Sequence, residues 1–159
     1  MIILYRVDDR LVHGQVVEGW VPHLHVEELA VVSDEISGDE MRRVIMRFAT
    51  PEGVDLKILT VDEAAAYLPE AEKSPRKVLL LLPGLAEALA LTKKGFKIPV
   101  LNIGGMHYST GKNLSIGKAI FLSDEDCAAL KELSAAGIKI EGRGVPSDNP
   151  VNLMEAIAH

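Results

Sequence analysis

Early in the chain stands the run Val7-Asp8-Asp9-Arg10-Leu11-Val12-His13-Gly14-Gln15. From Asp8 to His13 it supplies two carboxylates, a guanidinium and an imidazole, and a glycine follows at once. A guanidinium offers a fork of donors that matches phosphate oxygens. An imidazole three residues later, beside a bound anion, suits a nucleophile or a general acid/base. Asp8 or Asp9 can hold the imidazole tautomer or orient Arg10. Gly14 lets the backbone approach a ligand, and free N–H groups at a helix start favour negative charge. The residues by themselves support a phosphoryl group carried on the ring. They equally support a non-catalytic module in which His13 and Arg10 hold a small anion, or a hydrolase with His13 and Asp9 as an acid–base pair. The plainest reading makes His13 an ordinary first-turn residue in contact with Asp9.

The elements around this run form a strand, a polar loop and a helix. Met1–Val7 is an apolar strand, and Val12, Val16 and Trp20 recur at helical spacing until Pro22. Further on, strand-like and helix-like segments alternate. Leu29–Val32, Leu56–Leu59, Val78–Leu82, Val100–Ile103 and Ala119–Leu122 read as strands, with Ile138–Glu141 as a half-exposed edge strand. Helices are expected over Asp39–Thr50, with Met41, Val44, Ile45 and Phe48 on one face, and from a capping box at Thr60–Glu63 to about Leu68. Others follow Val78–Leu82 as far as Lys94, run from the Ser123 cap to Ala136, and start at Asn149-Pro150. His107 to Gly117 is a loop or hairpin. This predicts a single α/β domain over residues 1–159, an open, mostly parallel sheet of about seven strands with helices on both faces. Sites in such sheets lie beyond the carboxyl ends of the strands. The Asp8–His13 loop and Gly104-Gly105 should therefore share one edge.

The bulk numbers set limits. At 159 residues with 48% hydrophobic and 25% charged content, the chain is an ordinary globular domain. A net charge of −6 argues against a general binder of nucleic acid or anionic membranes. The one cysteine, Cys127, cannot form an internal disulfide, which suits a reducing cytosol. Met1 leads straight into a strand with no basic and apolar leader, so no signal peptide is expected. The run Val78–Leu82 is broken by Pro83-Gly84, far short of the roughly 20 apolar residues of a spanning helix.

Weaker signals compete. Cys127 lies among Ala128, Ala129 and Leu130 in a predicted helix and reads as a small buried hydrophobe. His23 and His25 lack a third ligand at metal-binding spacing, so no metal is expected. Gly104-Gly105 lacks the rest of a dinucleotide fingerprint. His107 beside it either lines the cleft or stands in solvent. Trp20 either anchors its helix to the core or serves a partner interface. Arg6 and Arg10 are the basic groups available for docking near the loop.

The segment from Arg6 to Val16, with Trp20 after it, closely resembles the start of the IIB component of the mannose/fructose/sorbose family of the phosphoenolpyruvate-dependent sugar phosphotransferase system (PTS). Asn102-Ile103-Gly104-Gly105-Met106-His107 resembles a second family segment. So does Gly137-Ile138-Lys139-Ile140-Glu141 followed by Val145-Pro146, and the resemblance spans essentially the whole chain. It implies a phosphocarrier that takes a phosphoryl group from phosphohistidine of a IIA domain and passes it to a sugar bound by membrane IIC and IID components. By the same resemblance His13 is the phosphoacceptor, through either ring nitrogen. Arg10, Asp8, Gly14 and Gln15 take the phosphate-binding positions. Independently of the resemblance, Arg6, Trp20 and His107 are the candidates for a partner interface. No cofactor is implied, and the expected location is cytoplasmic, at the periphery of the membrane transporter. The resemblance is compatible with a homodimer and with mannose, fructose, sorbose or amino sugars as substrate.

Overall fold

Val78–Leu82 has five successive buried residues, and the sheet is built outward from it. The computed structural model describes residues 1–158. Its strands are β1 (Ile2–Asp8), β2 (Glu28–Val32), β3 (Asp55–Leu59), β4 (Val78–Leu82), β5 (Val100–Gly105), β6 (Leu114–Ile116), β7 (Ile120–Leu122), β8 (Lys139–Gly142) and β9 (Val151–Asn152). The main sheet has seven strands in the order β3-β2-β4-β1-β5-β8-β9, parallel throughout except the last pair. Side chains on β4 alternate between two cores, as the pleat requires. Val78, Leu80 and Leu82 join Tyr5 and Val7 on one face, under α4 (Val61–Lys73), α5 (Leu85–Lys93), α6 (Asp124–Ala135) and α7 (Leu153–Ile157). Leu79 and Leu81 point the other way. They meet a π-helical segment (Gln15–Trp20), α1 (Val21–Leu24), α2 (Asp34–Ser37) and α3 (Glu40–Ala49). The expected architecture is present, and the register Asp8↔Gly105 puts the two site loops side by side at one edge.

Several boundaries differ from the sequence reading. Ile120–Leu122 is not a strand of the main sheet but pairs antiparallel with Leu114–Ile116. The seventh place goes to Val151–Asn152, on the outer side of Lys139–Gly142, so the latter is not the edge. For that reason the last helix starts at Leu153, and Asn152, not Asn149, caps it by accepting from the Glu155 N–H. Pro22 does not stop the first helix, because in the first turn of α1 its missing N–H costs nothing; the chain turns at left-handed His25 instead. Helix α4 passes through Pro69 to Lys73. Its last turn is held from outside, since Glu72 accepts from the Ile2 N–H at 2.8 Å and the Tyr5 hydroxyl at 2.6 Å. Helix α3 turns its apolar stripe outward, and only Met46 is buried. No helix among the described residues is long and apolar enough to cross a membrane.

Candidate functional site

β1 sends Arg6 and Asp8 to the same face at the carboxyl edge, and both are fully buried. A lone buried guanidinium would be costly, so the local chain surrounds it with acceptors. Arg6 Nη1 donates to Asn102 Oδ1 at 2.7 Å and to the Arg143 carbonyl at 3.0 Å. Its Nη2 donates to Asp8 Oδ2 at 3.0 Å and to the Gly144 carbonyl at 2.9 Å. Burial lowers the Arg6 pKa from its ordinary value, and Asp8 opposes that shift. Asn102 passes the network on to Glu141 at 3.0 Å.

Asp8 is the junction between this buried layer and the loop. Its Oδ1 accepts from the Arg10 N–H at 3.1 Å and Arg10 Nε at 3.0 Å, and its Oδ2 accepts from Arg10 Nη2 at 3.1 Å. Arg10 is thus gripped in a fork while its side chain stays 44% exposed. Its Nη2 also donates to Gln15 Oε1 at 3.0 Å. The loop turns at Leu11, which is buried and left-handed with φ 56°. That turn brings His13 back over Asp8, with Nε2 3.6 Å from Asp8 Oδ2. His13 Nδ1 lies 2.8 Å from the Leu11 carbonyl, so Nδ1 carries the proton and Nε2 the lone pair of the neutral ring. Nε2 is buried without a hydrogen-bond partner. The His13 carbonyl accepts from the N–H groups of Val16 and Val17, and the chain enters a π-helical segment there. Such segments are rare and often sit at functional sites. A Cβ on Gly14 would meet nothing within 4 Å, so its face of the loop is open.

Gly104 and Gly105 serve the arginines. A Cβ on Gly104 would lie 2.0 Å from Arg6 Cζ, and one on Gly105 would lie 2.9 Å from Arg10 Nη2. The two glycines leave room for guanidinium groups to lie across β5. Asn102, Glu141 and the carbonyls of Arg143 and Gly144 were missed by sequence reasoning. One signal was available: Arg6 and Asn102 are polar residues inside otherwise apolar strands, where a buried partner is required.

Residues 2–159 match the family described as PTS system sorbose subfamily IIB component. The sorbose-specific EIIB component of Klebsiella pneumoniae is 33% identical over 98% of this chain and 94% of its own length. The crystal structure of the IIBSor domain of that organism's sorbose permease superposes with a TM-score of 0.90, covering 99% of this chain and 96% of that one. The mannose-specific EIIAB component of Escherichia coli (strain K12) is 32% identical over 99% of this chain, which spans 49% of that protein. The chain belongs to the sorbose-subfamily IIB components of the PTS. IIB components act as phosphotransferases in sugar uptake, together with IIA and membrane IIC and IID components.

Within this IIB fold the expected residues separate. Asp8, Arg10, His13 and Gln15 come together as one cluster. Arg6 and Trp20 cannot be surface groups for a partner, being 0% and 3% exposed. Trp20 donates its Nε1–H to the Gly144 carbonyl at 2.9 Å, and the guanidinium groups of Arg6 and Arg143 each lie 5.4 Å from its ring. It anchors the helix, and its indole supports the arginine layer. Asp9 does not pair with His13. Its Oδ2 accepts from the His107 N–H at 2.8 Å and contacts the His107 ring, which is exposed. The acid–base pair of a hydrolase is therefore not formed, and His107 is tied to the loop through Asp9. Cys127 is half-buried in α6, and burial pushes its thiol pKa up, away from the reactive thiolate.

Proposed function

We propose that this IIB component receives a phosphoryl group on His13 from phosphohistidine of a IIA domain and delivers it to a sugar held by the IIC and IID components. The observation that carries this reading is the convergence of His13 and the Arg10 fork on the single buried carboxylate of Asp8. A lone pair of the His13 ring attacks phosphorus, and the phosphorus–nitrogen bond to the donor histidine breaks. In the second step a sugar hydroxyl oxygen attacks phosphorus, the bond to His13 breaks, and the hydroxyl proton passes to the imidazole nitrogen that is set free. Such transfers ask for in-line positioning and charge stabilisation more than for bond-making help from the protein. Arg10 would turn its exposed edge to the phosphoryl oxygens while Asp8 holds its inner edge. The open face of Gly14 and the amide of Gln15 complete the cradle. Acceptance at Nδ1 requires release of the Leu11 carbonyl, and acceptance at Nε2 requires the ring to swing out from its enclosure. The protein would work at the cytoplasmic side of the transporter.

Incubation with a phosphorylated IIA domain tests the reading. The expected product is an acid-labile, base-stable phosphate that is absent from His13→Ala. Absence of labelling by any IIA partner would overturn it, and phosphorus NMR of the product separates the two ring nitrogens.

A further inference from the structure

The pairing of β1 with β5 does not stop at Asp8, and Asp9 continues it by other means. The Asp9 N–H donates to the Gly105 carbonyl at 3.1 Å. In a regular parallel ladder the same residue would then accept from the His107 N–H through its own main-chain carbonyl. Here the carboxylate takes that place, and Asp9 Oδ2 accepts from the His107 N–H at 2.8 Å. A short acidic side chain can stand in for a main-chain acceptor in this way. The exchange frees the main chain to leave the sheet, and the next residues are Arg10 and left-handed Leu11. Asp9 Oδ2 also meets His107 Nδ1 at 2.5 Å, so main chain and ring of His107 close on one oxygen.

His107 is itself a fixed post. Met106 before it is buried, donates its N–H to the Ala119 carbonyl at 3.0 Å and accepts from the Phe121 N–H at 2.8 Å. Tyr108 after it meets the Phe121 ring edge-on, with centroids 5.8 Å apart. The small β6-β7 sheet thus holds the chain on both sides of His107, while the His107 side chain stays 76% exposed. The reactive loop is gripped twice. Asp8 holds it from the buried side through Arg10, and Asp9 ties its outer side to this post. A pair at so exposed an edge contributes little to global stability. Its effect lies in where the main chain leaves the sheet, and a shift of about 1 Å at a reacting group is enough to slow a reaction by roughly 10²-fold.

We infer that Asp9 and His107 are positioning residues for phosphoryl transfer, a clamp that fixes the exit of the loop so that Arg10 and His13 meet the phosphoryl group together. This rests on the proposed role of His13, and both residues act through the loop. The test measures single-turnover labelling of His13 against the concentration of phosphorylated IIA. It compares the wild type with Asp9→Ala, Asp9→Asn, His107→Ala and the double variant Asp9→Ala/His107→Ala. Asp9→Ala should lower the maximal rate about tenfold and leave the half-saturating concentration within about twofold. Asp9→Asn keeps an oxygen that accepts from both donors and should stay within about threefold of the wild type. His107→Ala keeps the main-chain bond and should fall between the two. The double variant should be no slower than Asp9→Ala, because no clamp is left to lose. A wild-type maximal rate in Asp9→Ala overturns the inference. So does an Asp9→Asn as slow as Asp9→Ala, which assigns the effect to charge. A raised half-saturating concentration at unchanged maximal rate in His107→Ala overturns it in favour of a donor-docking role for the ring. If Asp9→Ala does not fold, exposed His107→Ala decides by its maximal rate. If the wild type takes no label, the function reading fails by itself. The clamp is then read by amide exchange of Arg10 and Leu11, which should quicken in His107→Ala, and unchanged exchange overturns it.

Discussion

Arg6 and Glu28 are both charged, both fully buried and both on strands of the same sheet, but they sit at opposite ends of it. Arg6, near the carboxyl edge, is met by four acceptors and hands its charge through Asp8 to Arg10 and His13. Glu28, at the start of β2, accepts from the Tyr67 hydroxyl at 2.6 Å through one oxygen. Its other oxygen has no hydrogen bond, with Arg76 Nη1 3.9 Å away. The amino-end network closes on itself and on surface residues, so it serves packing alone. The carboxyl-end network ends in groups that can meet a ligand. Burying a charge thus stabilises either end of the sheet only through its partners, and the loops beyond the carboxyl ends turn one such charge into a site.

Removing Arg6 should break this contrast most severely. Arg6→Met leaves Asp8 buried with Arg10 as its remaining ion-pair partner, and a loss of about 3–5 kcal/mol is expected in urea unfolding, with transfer abolished. A loss below about 1 kcal/mol would mean that the network is not what holds this edge. Gly104→Ala acts on the same layer by steric means. Its Cβ would enter the Arg6 guanidinium, and about 1–3 kcal/mol of destabilisation is expected, together with slower transfer. At the other end, Tyr67→Phe strips Glu28 of its hydroxyl donor. It should cost about 1–3 kcal/mol and leave the transfer rate unchanged. A slowed transfer in this variant would dissolve the division between the two ends.

The amino end also has a pH signature. Burial, followed by the hydrogen bonds to Glu72 and Glu28, raises the pKa of Tyr5 and pushes that of Tyr67 up to about 12 from an ordinary 10.0. Above pH 10 the unfolded chain releases phenolic protons that the folded chain keeps. Stability contributed by these groups is therefore complete below pH 10 and lost as pH rises through about 12. The urea midpoint should fall across this window, and Tyr67→Phe should make the fall shallower.

Sequence made the strand order's raw material and the reactive loop readable, for different reasons. β1 to β5 are apolar runs interrupted by turn residues, a pattern that local physics dictates. The loop was readable because unlike polar groups crowd within a few residues. What supports it was not, because Asn102 and the carbonyls of Arg143 and Gly144 reach Arg6 only after the parallel crossovers bring β5 and β8 to the same side of β1. Arg6 reads as a surface cation although it stands inside an apolar strand, because the space that Gly104 vacates for it comes from a strand far along the chain. Which partners Asp8 and Asp9 take was open for the same reason: Asp9 meets His107, arriving from the next strand, while Asp8 meets Arg10 and His13. For α3, period showed that four apolar residues share a face but could not show that the face looks away from the core.

The most direct test is the single-turnover rate of phosphoryl transfer from phosphorylated IIA into Arg10→Ala. This side chain is partly exposed, and the buried pair of Arg6 with Asp8 is left in place. Expected are an unfolding curve close to that of the wild type and a transfer rate lower by roughly 10²-fold, the scale of losing one positioned charge-stabilising donor. A rate equal to that of the wild type would contradict the proposed role of Arg10.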